Sequence, residues 1–238
     1  TLSLPLRPRK MVDIMKEANA KANAEHKEFE AQLKKRRKDF GELLEQYGKE
    51  VESYNFKSEI VRREQIANEV NDLSEKLKAA AVEGETINGQ EKMFGWAATK
   101  YGNIAKLQSA LEPYVMLWST ISQFYDKFAG WMNGPFYKLM PEEVEADTNE
   151  AFRRLYKLTK FFSGQGGGQD LPAPLAVAEE GKNRVQSFQE NLPLIAAICN
   201  PGLRERHWAV LAEVVGFEIK RDEVTSLKRL LDHDIGLH

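Results

Sequence analysis

Within the 238-residue sequence, the stretch CNPGLRERHW (199–208) holds the side chains best equipped for chemistry. Cys199 is the only cysteine and His207 lies just downstream, so a thiolate–imidazole pair acting as nucleophile and base is conceivable there. Cys199 also closes the apolar run LIAAIC, where a small buried thiol is the simpler expectation. Four scattered histidines offer no metal-ligand spacing. The acidic set Glu142, Glu143, Glu145 and Asp147 is explained as first-turn partners of a helix dipole, because adjacent helical carboxylates point in different directions. GQGGGQ lacks the Lys and Ser/Thr that a phosphate loop needs, and no helix follows it at once. KKRRK (34–38) wraps all round a helix and reads as a solvated face. No catalytic, cofactor-binding or metal-ligating residue is assigned, and no cofactor is expected.

Composition agrees with that reading. Lys and Arg total 34 against 36 Asp and Glu, so no net field points to nucleic acid or a membrane surface. One cysteine cannot form an internal disulfide, which suits a reducing compartment such as the cytosol. The apolar run LPLIAAIC (192–199) is too short to span a bilayer, and TLSLPLRPRKM has no signal-peptide core. The missing initiator Met suggests a fragment of a longer chain.

The elements that must position these residues are helices. From about Lys10 to Tyr54, His26, Leu33, Phe40, Tyr47 and Tyr54 recur every seventh residue, with Ala22, Phe29 and Leu43 as the companion row. Such a helix would reach roughly 65 to 70 Å. Arg36 and Glu50 interrupt the companion row and Gly48 weakens the end, so the pattern suits a helix packed locally on neighbours more than a continuous coiled coil. A second helix is expected from Phe56 to Phe94 on Ile66, Val70, Leu73, Leu77, Ala80, Gly84 and Ile87. A third starts near Ala98 on Ile104, Leu107, Leu111 and Val115, with a kink at Pro113 and aromatics at Trp118, Phe124 and Phe128, and ends at WMNGPF. A fourth opens at Pro141 and carries Val144, Thr148, Ala151, Leu155, Leu158 and Phe162.

SGQGGGQDLPAP (163–174) reads as a mobile linker, neither helix nor strand, with Gly164, Gly166, Gly167 and Gly168 as its flexible core. Shorter helices follow over 175–215 and near 224–231. In CNPGLRERHW, Asn200 is expected as N-cap and Pro201 as the first helical residue, placing Leu203, His207, Leu211 and Val214 on a buried face. The Arg204 guanidinium would then cover the Trp208 indole one turn on. No stretch alternates with period two, so the fold class is all-α.

These residues also carry a resemblance. LPLIAAICNPGLRERHW resembles the hallmark of the linker region of dynein heavy chains, and EGETINGQEKMFGW, LEPYVMLWSTISQF and WMNGPFYKL resemble the same family upstream and in its order. The likeness covers nearly the whole chain from about Phe56, and NGPF and FFS look most similar to axonemal inner-arm dyneins. The glycine-rich insertion at 164–168 departs from the shorter connection expected there. The resemblance makes Asn200, Pro201, Gly202, Leu203, Arg204, Arg206, His207 and Trp208 family-signature residues with a structural role.

The resemblance implies an elongated array of helical bundles with long N-terminal neck helices. Its parts are a neck helix (1–55), a first linker bundle (56–163), the Gly/Pro-rich loop (164–174) and a second, truncated linker bundle (175–238). It implies a non-enzymatic lever between a ring of AAA+ modules of the same heavy chain and the tail segment with its associated dynein chains. That lever would act in the cytoskeleton of a cilium or flagellum, with no nucleic acid and no direct microtubule contact. Two other classes stay open on the residues alone. One is a helical scaffold or membrane-binding dimer using the 10–54 stripe and KKRRK. The other is an enzyme built on Cys199 and His207.

Overall fold

The computed structural model describes residues 7–165, 168–216, 219 and 225–232; Gly166, Gly167 and the start of the helix expected near Val224 lie outside the described residues. Helices make up nearly all of it: α1 (Arg7–Ser53), α2 (Arg63–Met93), α3 (Gly102–Asn133), α4 (Pro141–Phe162), α5 (Pro172–Gln189), α6 (Leu192–Ile198), α7 (Glu205–Val215) and α8 (Leu227–Asp232). Extended pairing among the described residues is confined to two isolated bridges, Pro135–Ser226 and Ser163–Asp170. The chain is all-α.

Two compact units form, Thr1–Glu50 with Glu75–Gln108, and Val51–Ser74 with Ser109–His238. In the first, Leu33, Phe40 and Leu44 of α1 meet Ala80 and Ile87 of α2 and Ile104 of α3, edged by Tyr47, Phe94, Trp96 and Tyr101. The buried α1 seam therefore pairs the Leu33–Phe40–Tyr47 row with Arg37, Leu44 and Val51, four residues on. The expected companion row faces elsewhere: Phe29 is 59% exposed and Leu43 36%. Both rows flank the seventh-residue row on a helical net, and the seam went to the side holding Leu44 and Val51.

The second unit is rich in aromatic rings. Tyr54, Tyr114 and Phe162 follow one another at centroid spacings of 5.9 and 5.6 Å, and Trp131 stacks on Phe188 at 5.2 Å. The Tyr114 hydroxyl donates to Asn55 Oδ1, and burial raises its pKa to about 12. Helix α4 keeps the expected start at Pro141 and the expected stripe, with Val144, Thr148, Ala151, Leu155, Leu158 and Phe162 all buried. It packs on α5, and their connection is closed by Leu171 N–H donating to the Phe162 carbonyl at 2.9 Å.

Three expectations are corrected here. Helix α2 starts at Arg63 rather than Phe56, because the chain first makes two short 3-10 turns, Tyr54–Phe56 and Ile60–Arg62. Helix α3 starts at Gly102 rather than near Ala98; it contains Pro113, beyond which the buried row is Tyr114, Leu117, Trp118, Ile121 and Phe124. Helix α5 opens at Pro172, so the last three residues of the expected loop, Pro172–Pro174, are helical. Proline needs no amide partner in a first turn, and its fixed φ suits one.

Candidate functional site

The signature stretch begins as a turn. Asn200 Oδ1 accepts the Gly202 amide at 2.8 Å, and the Asn200 carbonyl accepts the Leu203 amide at 3.1 Å. This Asx turn uses the oxygen that was expected to cap a helix, so Pro201 and Gly202 do not enter one. Helix α7 starts later, with Arg204 as its extended N-cap (φ −106°, ψ 165°). The Arg204 amide donates to His207 Nδ1 at 3.0 Å, and the His207 amide returns to the Arg204 carbonyl at 2.9 Å. Imidazole thus does the work that Glu or Gln does in a capping box. The Arg206 guanidinium lies 3.2 Å from the other ring nitrogen, Nε2, with its Nε–H directed at it.

The buried face of α7 also differs from expectation. His207 is half-buried and Val214 is 55% exposed, whereas Trp208 is buried at 8%. With the helix starting later, Trp208 is the inward residue of the first turn. The group over its indole is the Phe136 ring, at 5.7 Å and 59°, and not Arg204, which is exposed. Trp208 Nε1 is buried without a partner among the described residues.

Phe136 gathers three distant parts of the sequence. It is fully buried in the 3-10 turn Phe136–Lys138, its ring meets Trp208, and its amide donates to the Thr225 carbonyl at 3.0 Å. Its own carbonyl accepts the Cys199 thiol at 3.4 Å. The WMNGPF and CNPGLRERHW motifs, separated in sequence by the whole of α4, α5 and α6, therefore converge on one residue. Gly134 closes the end of α3 tightly against its last turn. Its amide donates to the Gly130 carbonyl at 2.9 Å, and a Cβ there would lie 2.7 Å from that oxygen.

The first unit contains a centre of the opposite kind. The fully buried Glu91 carboxylate accepts the Thr99 amide at 2.7 Å and the Thr99 hydroxyl at 2.6 Å, and pairs with Arg37 Nε at 2.8 Å. Its backbone carbonyl accepts the Trp96 amide at 2.9 Å, and the Arg37 guanidinium lies 5.6 Å from the Trp96 ring. Sequence reasoning missed this centre. Its residues were in view, since EKMFGW contains Glu91 and Trp96, and Arg37 sits seven residues before Leu44 on the true companion row, but no local pattern links them. KKRRK is thus more than a solvated face, since Arg36 and Arg37 reach Glu83 and Glu91 of α2.

The other candidate residues lie apart from both centres. Gly164 turns the chain out of α4 with φ +74°, where glycine is favoured, and Gly168 donates to the Gln165 carbonyl at 3.3 Å. Asp147 pairs with Lys127 at 2.6 Å, and Glu142 and Glu143 occupy the first turn of α4. Among the described residues no group of three His, Cys, Asp or Glu side chains could hold a metal ion, and no helix is long and apolar enough to cross a membrane.

The family profile for "Dynein heavy chain, N-terminal region 2" matches residues 104–238, from the start of α3 through the joint at Phe136 to the last residue. Dynein axonemal heavy chain 3 of Mus musculus is 35% identical over 210 residues, 87% of this chain. Dynein axonemal heavy chain 1 of Mus musculus is 30% identical over 84% of it, and Dynein axonemal heavy chain 12 of Homo sapiens 28% over 88%. The chain spans only 5 to 7% of the length of these relatives. More than half of the sequence falls within the matched region, and the chain belongs to the dynein heavy chain family.

Proposed function

We propose that this chain is the N-terminal part of the linker of an axonemal dynein motor, and that it carries nucleotide-driven change in the AAA+ ring to the tail during the power stroke of microtubule-based movement. The observation that carries the reading is the joint at Phe136, where two motifs shared with dynein linkers close on each other inside the region matched by the family profile. A lever transmits force only if its helices hold their mutual register. The aromatic joint and the pair of buried Glu91 with partly exposed Arg37 are fixed points of the kind that register requires. In this reading residues 1–55 form the neck, 56–163 and 175–238 the linker bundles, and 164–174 their connection. The partners are the ring of the same heavy chain, the tail and its associated chains. The segment itself hydrolyses no nucleotide and touches no microtubule. Coupling arises because the linker contacts the ring differently in two states.

The test is deletion of residues 56–215 from a full-length motor. Nucleotide binding by the ring should persist while microtubule gliding stops and ATP turnover is no longer coupled to movement. A motor that still drove microtubules at parental speed would sink the lever assignment.

A further inference from the structure

Helix α1 carries two apolar seams, and the first unit covers one. The second, through Phe29 and Leu43, forms one wall of a groove between α1 and α2. The groove has a hollow of about 710 Å³ floored by Phe40, Leu43, Tyr47 and Ala80. A second hollow of about 340 Å³, between Phe29, Leu33, Met93 and Phe94, continues it, and Gln32 and Arg36 line both. Phe29 is 59% and Met93 87% exposed. Arg36 bridges the two helices where the hollows meet, its guanidinium gripping Glu83 at 2.6 and 2.7 Å.

The rim has its own charge pattern. Lysines beyond it are neutralised: Lys34 by Glu30 at 2.8 Å, Lys38 by Glu42 at 3.5 Å and Lys78 by Glu75 at 2.8 Å. Lys35 on the α1 wall and Lys76 on the α2 wall make no ion pair among the described residues, and Asp39 is the one unpaired carboxylate beside them. From Phe29 to Tyr47 the groove runs about 27 Å along α1 at 1.5 Å per residue, or five helical turns. Two apolar hollows in line, divided by the Arg36–Glu83 bridge and with a cation on each wall, fit an amphipathic helix flanked by carboxylates. Relatives of this chain devote only about 5% of their length to the matching segment, so the parent polypeptide has ample chain to supply the helix. A tethered helix would also dock at high effective concentration.

We propose that this groove is the docking site of an amphipathic, acid-flanked helix from another part of the same heavy chain. The inference rests on reading the segment as part of a dynein heavy chain, under the function proposed above. The test places a benzoylphenylalanine photo-crosslinker at Phe29 or Leu43 of the full-length heavy chain, with Val61 as the exposed control outside the first unit. Mass spectrometry then maps the products. Both groove positions should crosslink to one segment of the same polypeptide, with apolar residues at helical spacing beside Asp and Glu, and Val61 should not. Lys35→Glu with Lys76→Glu should lower the yield about tenfold, as two lost rim ion pairs imply. Crosslinks between two isotopically distinguished copies, crosslinks to a different polypeptide, none at all, or a yield indifferent to the charge reversal would each overturn it. The readout needs neither ATP turnover nor movement. Crosslinking at the groove in the full-length heavy chain, together with gliding that survives the 56–215 deletion, would leave the docking site standing and remove only the lever.

Discussion

The two units solve one problem, holding helices in register, by opposite means. In the first, a carboxylate with no exposure sits in an apolar seam and takes three hydrogen bonds, from Arg37 and twice from Thr99. In the second, the joint is a phenylalanine whose ring and backbone both find partners. An aromatic joint gains its energy from burial and tolerates small slides. A buried ion does not, because any shift that uncouples Glu91 leaves a desolvated charge. The first unit is therefore built for one register and the second for strength.

The largest expected effect falls on the aromatic joint. Phe136→Ala should lower stability by about 3 to 5 kcal/mol, the range for emptying a fully buried ring site, as read by chemical denaturation. Trp208→Ala should have a similar effect. The double variant should cost less than the sum, because the rings share one contact. Additive losses would mean that the rings do not share a joint.

Glu91→Ala should cost about 2 to 3 kcal/mol by stranding the Thr99 amide and hydroxyl, with Arg37 losing less because it is partly exposed. The contrast is sharpened by Arg37→Met with Glu91→Leu. That pair should recover much of the loss, yet allow α1 to pair with α2 in more than one register, seen as a mixture of products between engineered cysteines. A single register in the double variant would show that apolar packing alone specifies the seam.

Tyr114 gives a pH test of the second unit. Its folded pKa of about 12 lies above the ordinary 10.0, so the folded state holds the proton more tightly. That contribution is complete below pH 10 and is lost as pH rises toward 12. The loss should be about 2 to 3 kcal/mol, at 1.36 kcal/mol per unit. Tyr114→Phe should flatten this part of the stability–pH curve, and an unchanged slope would relocate its cause.

The smallest effects belong to the signature turn. His207→Ala should cost about 1 kcal/mol, as a lost N-terminal cap does, and Cys199→Ala should cost less. A His207→Ala loss as large as that of Trp208→Ala would give the imidazole a role beyond capping.

Much of this was legible in the sequence, but unevenly. Helix α4 could be read almost residue by residue, because Pro141 marks its start and its apolar positions form a single stripe. Helix α1 could be found but not oriented, since the rows on either side of Leu33 and Phe40 each carry apolar residues, Phe29 and Leu43 on one and Leu44 and Val51 on the other. Each is interrupted by an arginine, and only tertiary contact selects one. At Asn200 the local rule was sound and its outcome different: Asn is equally good at capping a helix and at closing an Asx turn, and Pro-Gly tipped it to the turn. The Glu91 centre was hidden because a lone Glu in a helix reads as surface until its long-range partner is known.

The N-terminal stretch of α1 has one more consequence. Every residue from Lys10 to Phe29 is exposed, so side-chain ladders such as Lys21–Glu25 at 3.9 Å, alanine propensity and a ring contact of His26 with Phe94 are what hold it. A helix so supported melts by gradual fraying, with no sharp transition. On warming, far-ultraviolet ellipticity should decline in a long slope well before the tryptophan and tyrosine bands of the near ultraviolet change at all. The chain then has two heat signatures, one belonging to a packed body and one to a helix that waits for company.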